Sequence, residues 1–542
     1  MATPYKVKLQ KSYFPSVKDV ELWRHAVGDQ LRYASLKNPN NIALVEIKED
    51  GSISRKWSYK DLYNASLSIA KILSSKYNKG DRIAVWSSNN PEWVLLEFAA
   101  ALAGLILVTV NPSYQAPELE YILKQSQCKT IFLCKSFRTN PMWDIAYSVC
   151  KSLNSKIELI NIKDIQNLST DDLEQENLPK VLPHDPFQIQ YTSGTTGLPK
   201  GALLTHKGLL NNARFCQERA GMKIGDKFLN TMPLFHCASS GMATLGCLTH
   251  GAIHYLMPSF DPLLVGKIID EEKIDYWGGV PTMFVETMKS GENSSRDFSS
   301  LKGCTSGGAT VAPALIKEVR LRLGVDLQVV YGQTEASPLI SMAWRSDPAD
   351  EFNETVGQPL PHTEVAILDL DNDEICDVRV IGEICCRGYN VMSMYFNDTS
   401  ATSDAITEKG WLRTGDLGFM DECGYLSITG RTKEMIIRGG ENIYPKEIEN
   451  HMLKNSLISE VAVVGVPDKI LGEIVVCFLK FDGSSILTAD QLKNFVRKNL
   501  SPQKTPKHWI KISDWPLTGS GKIKKFVLKE KYMRGDFEKE KL

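Results

Sequence analysis

PEWVLLEFAAALAGLILVTVNP, residues 91–112, decides between two architectures. Taken as one span, residues 93–110 are almost wholly apolar and come close to the ~20 residues that a membrane-crossing helix needs. Glu97 and Gly104 interrupt that reading. Pro91 suits the first turn of a helix, where its missing N–H is not required, so the first half reads as a helix over WVLLEFAAALAG. Residues 105–110 then form a short β-branched run that stops at the turn pair Asn111-Pro112, which reads as a buried strand. A helix feeding a buried strand predicts a soluble core and no transmembrane segment.

The pattern extends outward in both directions. IALVEI (42–47) and RIAVW (82–86) are strand-like, and between them Ser58 stands three residues before Asp61 as a helix-start signal. Leu62, Ile69 and Leu73 mark one face of that helix. Alternation of this kind predicts α/β layers. From residue 181 the chain is denser in Gly, Ser, Thr and His, with strand candidates ending in glycine turns at Gly194, Gly307 and Gly332. Ligand sites favour such strand ends. After Gly382 come the short β-like pieces GEICCRG and GYLSITG, then the strands VAVVGV and IVVCFLKF and a helix over 488–499. The fold class expected is α/β: a large multi-subdomain N-terminal α/β domain, residues 1–431, and a small α+β C-terminal domain, residues 432–542.

Length and charge narrow the function. A chain of 542 residues can build two or three domains. Its 63 Lys+Arg nearly cancel 64 Asp+Glu, leaving a net charge of -1 and no surplus to attract nucleic acid. The twelve cysteines are scattered, form no CxxC pair and sit mostly in apolar runs such as that around Cys385 and Cys386, as buried free thiols do. MATPYKVKLQ at the start has neither an apolar signal-peptide core nor an Arg- and Ser-rich amphipathic pattern, so the expected location is cytoplasmic.

YTSGTTGLPKG, residues 191–201, packs three glycines, four Ser/Thr hydroxyls and one lysine directly after a strand candidate at 187–190. Glycines let backbone N–H groups turn inward, hydroxyls add donors, and Lys200 adds a positive charge, which together make a phosphate cradle. A Ser/Gly surface loop has a similar composition. The spacing is not that of a Walker A loop, because two residues separate Gly197 from Lys200.

This loop resembles the signature of the acyl-adenylate-forming (ANL) superfamily, and further motifs follow in that family's order. They are SGGA (306–309), YGQTEAS (331–337), TGD (414–416), GRTKEMIIRGGENIYPKEIE (430–449) and PLTGSGK (516–522). The wording of PLFH, GVPTMF and IRGGENIYP is similar to that of medium-chain and related fatty acyl-CoA synthetases of the family member 2 type. The resemblance implies an ATP-dependent acid–thiol ligase. A carboxylate attacks the α-phosphorus of ATP, with Mg²⁺, to give acyl-AMP and pyrophosphate, and coenzyme A then takes the acyl group. An aryl- or branched-acid CoA ligase, or an acyl-AMP ligase loading another acceptor, are the alternatives. The implied partners are a small carboxylic acid and CoA, and a homodimer is left open.

The same resemblance assigns residues. Thr192, Ser193, Gly194, Thr195, Thr196, Gly197, Leu198, Pro199 and Lys200 would enclose the β- and γ-phosphates. Thr334 would donate to the α-phosphate, and Glu335 would hold the magnesium. Tyr331 would lie against adenine, opposite Gly307, Gly308 and Ala309, with Gly332 and Gln333 following. Asp416 would bind the ribose hydroxyls with Arg431 as its partner. Lys522 would be the catalytic lysine, carried on a small domain that rotates about a hinge near Lys433. Gly439 and Gly440 would then open a passage for the pantetheine arm.

His236 would border the acyl pocket, drawing on Phe235 and residues 237–241 and 278–281. In relatives specialised for acetate a tryptophan stands where this chain has Gly332, so glycine implies room for an acid longer than acetate. Away from the motifs, Thr-Glu at 334–335 reads equally as a helix cap with a first-turn acid, and TGD as a plain turn.

Overall fold

The computed structural model describes residues 3–153, 156–167, 178–192, 199–347, 354–438, 441–469, 471–483, 486–517 and 522–542. The stretch 91–112 forms a helix followed by a strand. Helix α1, Pro91–Ala103, opens with proline in its first turn, and the Asn90 side chain accepts from Trp93 N at 3.0 Å. It closes at Gly104, whose φ of 66° is the left-handed conformation that glycine adopts at little cost. All but one of its residues are buried, as expected of a helix that is apolar around its whole circumference. Strand β1, Ile106–Val110, follows and is buried throughout.

By contacts the chain falls into two compact units. The first comprises Met1–Val7, Phe14–Val365 and Cys386–Leu412, and the second Lys8–Tyr13, Ala366–Cys385 and Arg413–Leu542. Lys433 lies inside the second unit, in the short 3₁₀ turn Thr432–Glu434.

The first unit contains two sheets. In the seven-stranded sheet the order is Glu158–Asn161, Thr130–Leu133, Arg82–Trp86, β1, Pro186–Thr192 (β2), Lys200–Thr205 (β3) and Met394–Tyr395. The strands from Glu158–Asn161 to β2 run parallel, while β3 and Met394–Tyr395 add antiparallel pairs at one edge. The nine-stranded sheet runs Ile53–Ser58, Ile42–Ile47, Ile253–Leu256, Lys227–Asn230, Tyr276–Gly279, Gly303–Gly307 (β4), Leu327–Gly332 (β5), Leu339–Met342 (β6) and Gln358–Pro359. Its centre is parallel and both its edges are antiparallel. The capping box at Ser58 and Asp61 forms, and Leu62, Ile69 and Leu73 are buried on one helix face. Both sheets thus present the ends of parallel strands, where ligand sites of α/β proteins lie.

In the second unit, Leu412–Met420 (β7) and Leu426–Arg431 (β8) pair antiparallel. A further sheet pairs Ile458–Asp468 with Gly472–Phe481 and the latter with His508–Lys511, and helices Pro445–Met452, Ala489–Arg497 and Lys525–Met533 (α2) accompany it. VAVVGV explains the sheet's two covered faces. Val461 and Val463 enter one core cluster, while Ala462, Val464 and Val466 enter another, as side chains alternating across a strand must.

All twelve cysteines are free, and all but Cys134 and Cys423 are buried. Among the described residues no helix is long and apolar enough to cross a membrane.

Candidate active site

The signature loop is the connection of a hairpin. Strands β2 and β3 pair from Pro186 to Thr205, and Thr192 faces Lys200 at the open end, its hydroxyl donating to the Lys200 carbonyl at 3.4 Å. Ser193, Gly194, Thr195, Thr196, Gly197 and Leu198 lie outside the described residues, as do Gly439 and Gly440. Pro199 leads out of the loop into β3. Lys200 turns its ammonium over the ring of Tyr395, 5.0 Å from the centroid.

The other half of this site stands at the ends of β4 and β5, which pair with Gly307 opposite Val330. A Cβ on Gly307 would sit 2.3 Å from the Val330 carbonyl oxygen, so no side chain fits there. Gly308 has a φ of +75°, and Ala309 beyond it is exposed. Tyr331 is buried, with 7% of its surface exposed. Next in the chain, Gly332 and Gln333 lead into the 3₁₀ turn Thr334–Ala336.

Gly332 is glycine for a backbone reason. A Cβ there would lie 2.0 Å from the Pro338 carbonyl oxygen and 2.8 Å from the Leu339 Cα. Its presence therefore does not by itself measure the length of the acyl pocket.

Two side chains tie the turn to its neighbours. Cys237, buried, places its Sγ 3.5 Å from the Thr334 hydroxyl and 3.6 Å from Nδ1 of His236. The His236 carbonyl starts the π-helix Ala238–Leu245, accepting from Ser239 N at 2.9 Å and Ser240 N at 3.1 Å. π-Helical turns are rare and recur at functional sites. Phe235 meets His236 edge to face at 6.1 Å. The stretch 278–281 begins at the end of Tyr276–Gly279, where a Cβ on Gly278 would be 3.0 Å from the Thr305 hydroxyl. Tyr395 donates to Glu335 Oε1 at 2.7 Å. Lys200, Glu335, Thr334, Cys237 and His236 are thereby brought into one set of contacts within the first unit.

The second unit carries its own charged constellation. Asp416 on β7 faces Arg431 on β8 in register, and the guanidinium Nε lies 2.9 Å from Asp416 Oδ1. The turn before Asp416 is fixed by Thr414, whose hydroxyl donates to the Ile384 carbonyl at 2.6 Å, and by Gly415 N donating to Glu383 at 3.0 Å. Lys446 lies near this pair. Burial pushes its ammonium below the ordinary lysine value against the pull of Glu449 and Asp416.

Lys522 is exposed. Lys525, at the start of α2, is instead clamped to Glu434 at 2.6 Å and Glu449 at 2.8 Å. Burial pulls the Lys525 ammonium down, but the two carboxylates outweigh it and hold its pKa above the usual range. A lysine committed to two carboxylates is a poor candidate for a mobile catalytic cation.

Sequence reading missed Tyr395, Lys446 and the clamp on Lys525. Tyr395 lies 60 residues from Glu335 in the chain, and nothing in SMYFND distinguishes it from an ordinary strand tyrosine. Lys446 and Lys525 stood inside or beside quoted motifs, yet only folding discloses which lysine is buried.

The α/β fold and the order of the motifs along the chain define the class as an adenylate-forming enzyme. The chain belongs to the AMP-binding enzyme family: residues 31–396 match the AMP-binding enzyme model and residues 447–522 its C-terminal domain. Within that family it groups with the ATP-dependent, AMP-forming acid–thiol ligases. It is 35% identical to the medium-chain acyl-CoA ligase ACSF2, mitochondrial, of Rattus norvegicus, over 96% of this chain and 89% of that one. Among solved structures, ATP-bound MatB from Rhodopseudomonas palustris superposes with a TM-score of 0.83 at 25% identity, covering 93% of this chain and 99% of that chain. The o-succinylbenzoate CoA synthetase MenE from Bacillus subtilis, in complex with its acyl-adenylate intermediate, gives 0.81 at 26% identity over 94% of this chain and 99% of that chain.

Proposed function

We propose that this acyl-CoA synthetase activates a medium-chain fatty acid with MgATP and transfers the acyl group to coenzyme A. The observation that carries the reading is the buried Glu335 carboxylate joined through Tyr395 to the Lys200 ammonium of the phosphate loop. A carboxylate binds the hard cation that accompanies ATP, and an ammonium binds phosphoryl oxygens. Magnesium is held with few protein ligands because phosphate oxygens complete its shell, so one well-placed glutamate suits it.

In the first half-reaction the substrate carboxylate, already ionised at neutral pH, attacks the α-phosphorus, and the bond to pyrophosphate breaks. The chain need supply no general base. Its task is alignment and neutralisation of charge. Lys200 and the loop would hold the β- and γ-phosphates, Thr334 would donate to the α-phosphate, and Lys522 would offset the charge that develops between carboxylate and phosphorus. Asp416, fixed by Arg431, would accept from the ribose hydroxyls. In the second half-reaction the CoA thiolate attacks the acyl carbon and AMP leaves. Rotation about Lys433 would withdraw Lys522 between the halves.

The medium-chain reading draws on the name of the rat relative and on the small residues Ala238, Gly241, Gly278 and Gly279 along the expected pocket. The same reading places the enzyme in the cytoplasm, whereas that relative is named mitochondrial, and cell fractionation separates the two.

Pyrophosphate release across straight-chain, branched and aryl acids, with and without CoA, tests the function. Turnover should peak at medium chain length and require CoA for the thioester. A peak among aryl acids would replace the substrate, and release without thioester formation would replace the acceptor. Lys522→Ala should lower adenylation by about 100-fold or more while sparing thioester formation from supplied acyl-AMP. Equal loss in both halves would remove Lys522 from its role.

A further inference from the structure

We propose that Tyr395 is a positioning residue that keeps Glu335 and Lys200 apart in the nucleotide-free enzyme, leaving one carboxylate oxygen of Glu335 open to the cation carried by the incoming nucleotide. This rests on the placement of Glu335 and Lys200 under Proposed function.

An ammonium and a carboxylate serving one phosphate site attract each other whenever the phosphate is away. A direct ion pair would occupy both groups and would have to be broken by each arriving nucleotide. In the structure each of the two has a neutral partner instead. The Tyr395 hydroxyl donates to Glu335 Oε1 at 2.7 Å, and the face of the same ring lies under Lys200 Nζ at 5.0 Å. The ring thus works at two points, its edge oxygen on the carboxylate and its π-face on the cation.

The backbone fixes this ring. Tyr395 pairs with Ala202 and Met394 with Leu203. Ser393 N donates to the Leu203 carbonyl at 2.9 Å, and Phe396 N to that of Gly201 at 2.8 Å. On the other side, Met392 N donates to the Glu335 carbonyl at 2.8 Å. Residues 392–396 are therefore stapled both to the strand that carries Lys200 and to the turn that carries Glu335. Tyr395 and Glu335 are each only 8% exposed, so water competes little for their contact.

The experiment uses the full chain and its best acid, measuring pyrophosphate–ATP exchange against Mg²⁺ concentration. Tyr395→Phe keeps the ring under Lys200 and deletes only the hydroxyl. The Mg²⁺ concentration for half-activation should rise about tenfold, the loss expected for a hydrogen bond to a charged group, with the rate at saturating Mg²⁺ changed less than about twofold and the unfolding midpoint retained. In a Glu335→Gln background the same substitution should produce no Mg²⁺ shift. Tyr395→Leu should in addition raise the KM for ATP at saturating Mg²⁺, because Lys200 loses its ring.

A Tyr395→Phe enzyme with wild-type Mg²⁺ dependence would overturn the proposal. So would a lower rate without a Mg²⁺ shift, or a collapse of the unfolding midpoint, which would make the contact a matter of packing. If Glu335→Gln itself kept wild-type Mg²⁺ dependence, the assignment of Glu335 would fail instead, and a wild-type chain without exchange would defeat the functional reading as a whole.

Discussion

At Gly332 the backbone of residues 338–340 comes so close that even one carbon cannot be added, since the Pro338 oxygen would lie 2.0 Å from a Cβ. The position precedes Thr334 and Glu335 by two and three residues, so displacement there is passed to both. Gly332→Ala should therefore lower kcat/KM for acids of every length together, by about 100-fold, the scale of misplacing a catalytic group by an ångström. Steady-state kinetics from acetate to decanoate check this, and a loss confined to long acids would return the residue to the pocket wall. The case also marks what the text could convey about single residues. Thr334, Glu335, Lys200, Asp416 and Arg431 could be nominated from the sequence because their motifs keep them close in sequence or in family order. Tyr395 was not, because its two contacts are made across the fold, and the crowding at Gly332 depends on a returning chain that no local pattern describes.

Helix α1 shows how an element can be read correctly while the environment of one of its residues stays hidden. Glu97 served in the sequence as an argument against a membrane span, yet it is fully buried, with Gln188 of β2 donating to Oε1 at 2.7 Å. Burial raises its pKa well above the ordinary 4.5, and the bond from Gln188 only partly opposes this. The fold thus favours the protonated acid. The stability it contributes is fully present below the unfolded value and is lost as pH rises toward the folded one, because the unfolded chain then gains by ionising. The slope is at most about 1.4 kcal/mol per pH unit. Glu97→Gln should abolish it, so the unfolding midpoint of the wild type should fall relative to the variant as pH rises above about 4.5. Parallel thermal melts of the two chains check this, and identical pH profiles would mean that Glu97 ionises freely in the fold.

Among elements, the boundaries at 91–112, the cap at Ser58 and the strands VAVVGV and IVVCFLKF were readable from periodicity and turn chemistry. Strand β3 was missed because KGALLT begins inside a loop motif. The π-helix Ala238–Leu245 was missed because its Ser- and Gly-rich text lacks a helical period.

For the whole molecule, acid sensitivity concentrates in the first unit. Burial lowers His206 and His254 to about 3 and His250 to about 4, from an ordinary 6.5. Each is held neutral in the fold, so its contribution is present above the unfolded value and is lost as pH falls, when the unfolded chain takes up protons first. The urea midpoint should therefore decline steeply between about pH 6.5 and about pH 4, and a flat profile over that window would show that these rings protonate without unfolding. At this scale the sequence conveyed a large α/β part and a small α+β part. It could not convey that Lys8–Tyr13 and Ala366–Cys385 join the second unit, since those contacts cross hundreds of residues.

Because Thr192 and Lys200 pair at the mouth of the hairpin, the sheet holds together the two chain ends from which the signature loop departs. The entropy lost in bringing a loop's two ends together is then charged to folding and not to the binding of a ligand.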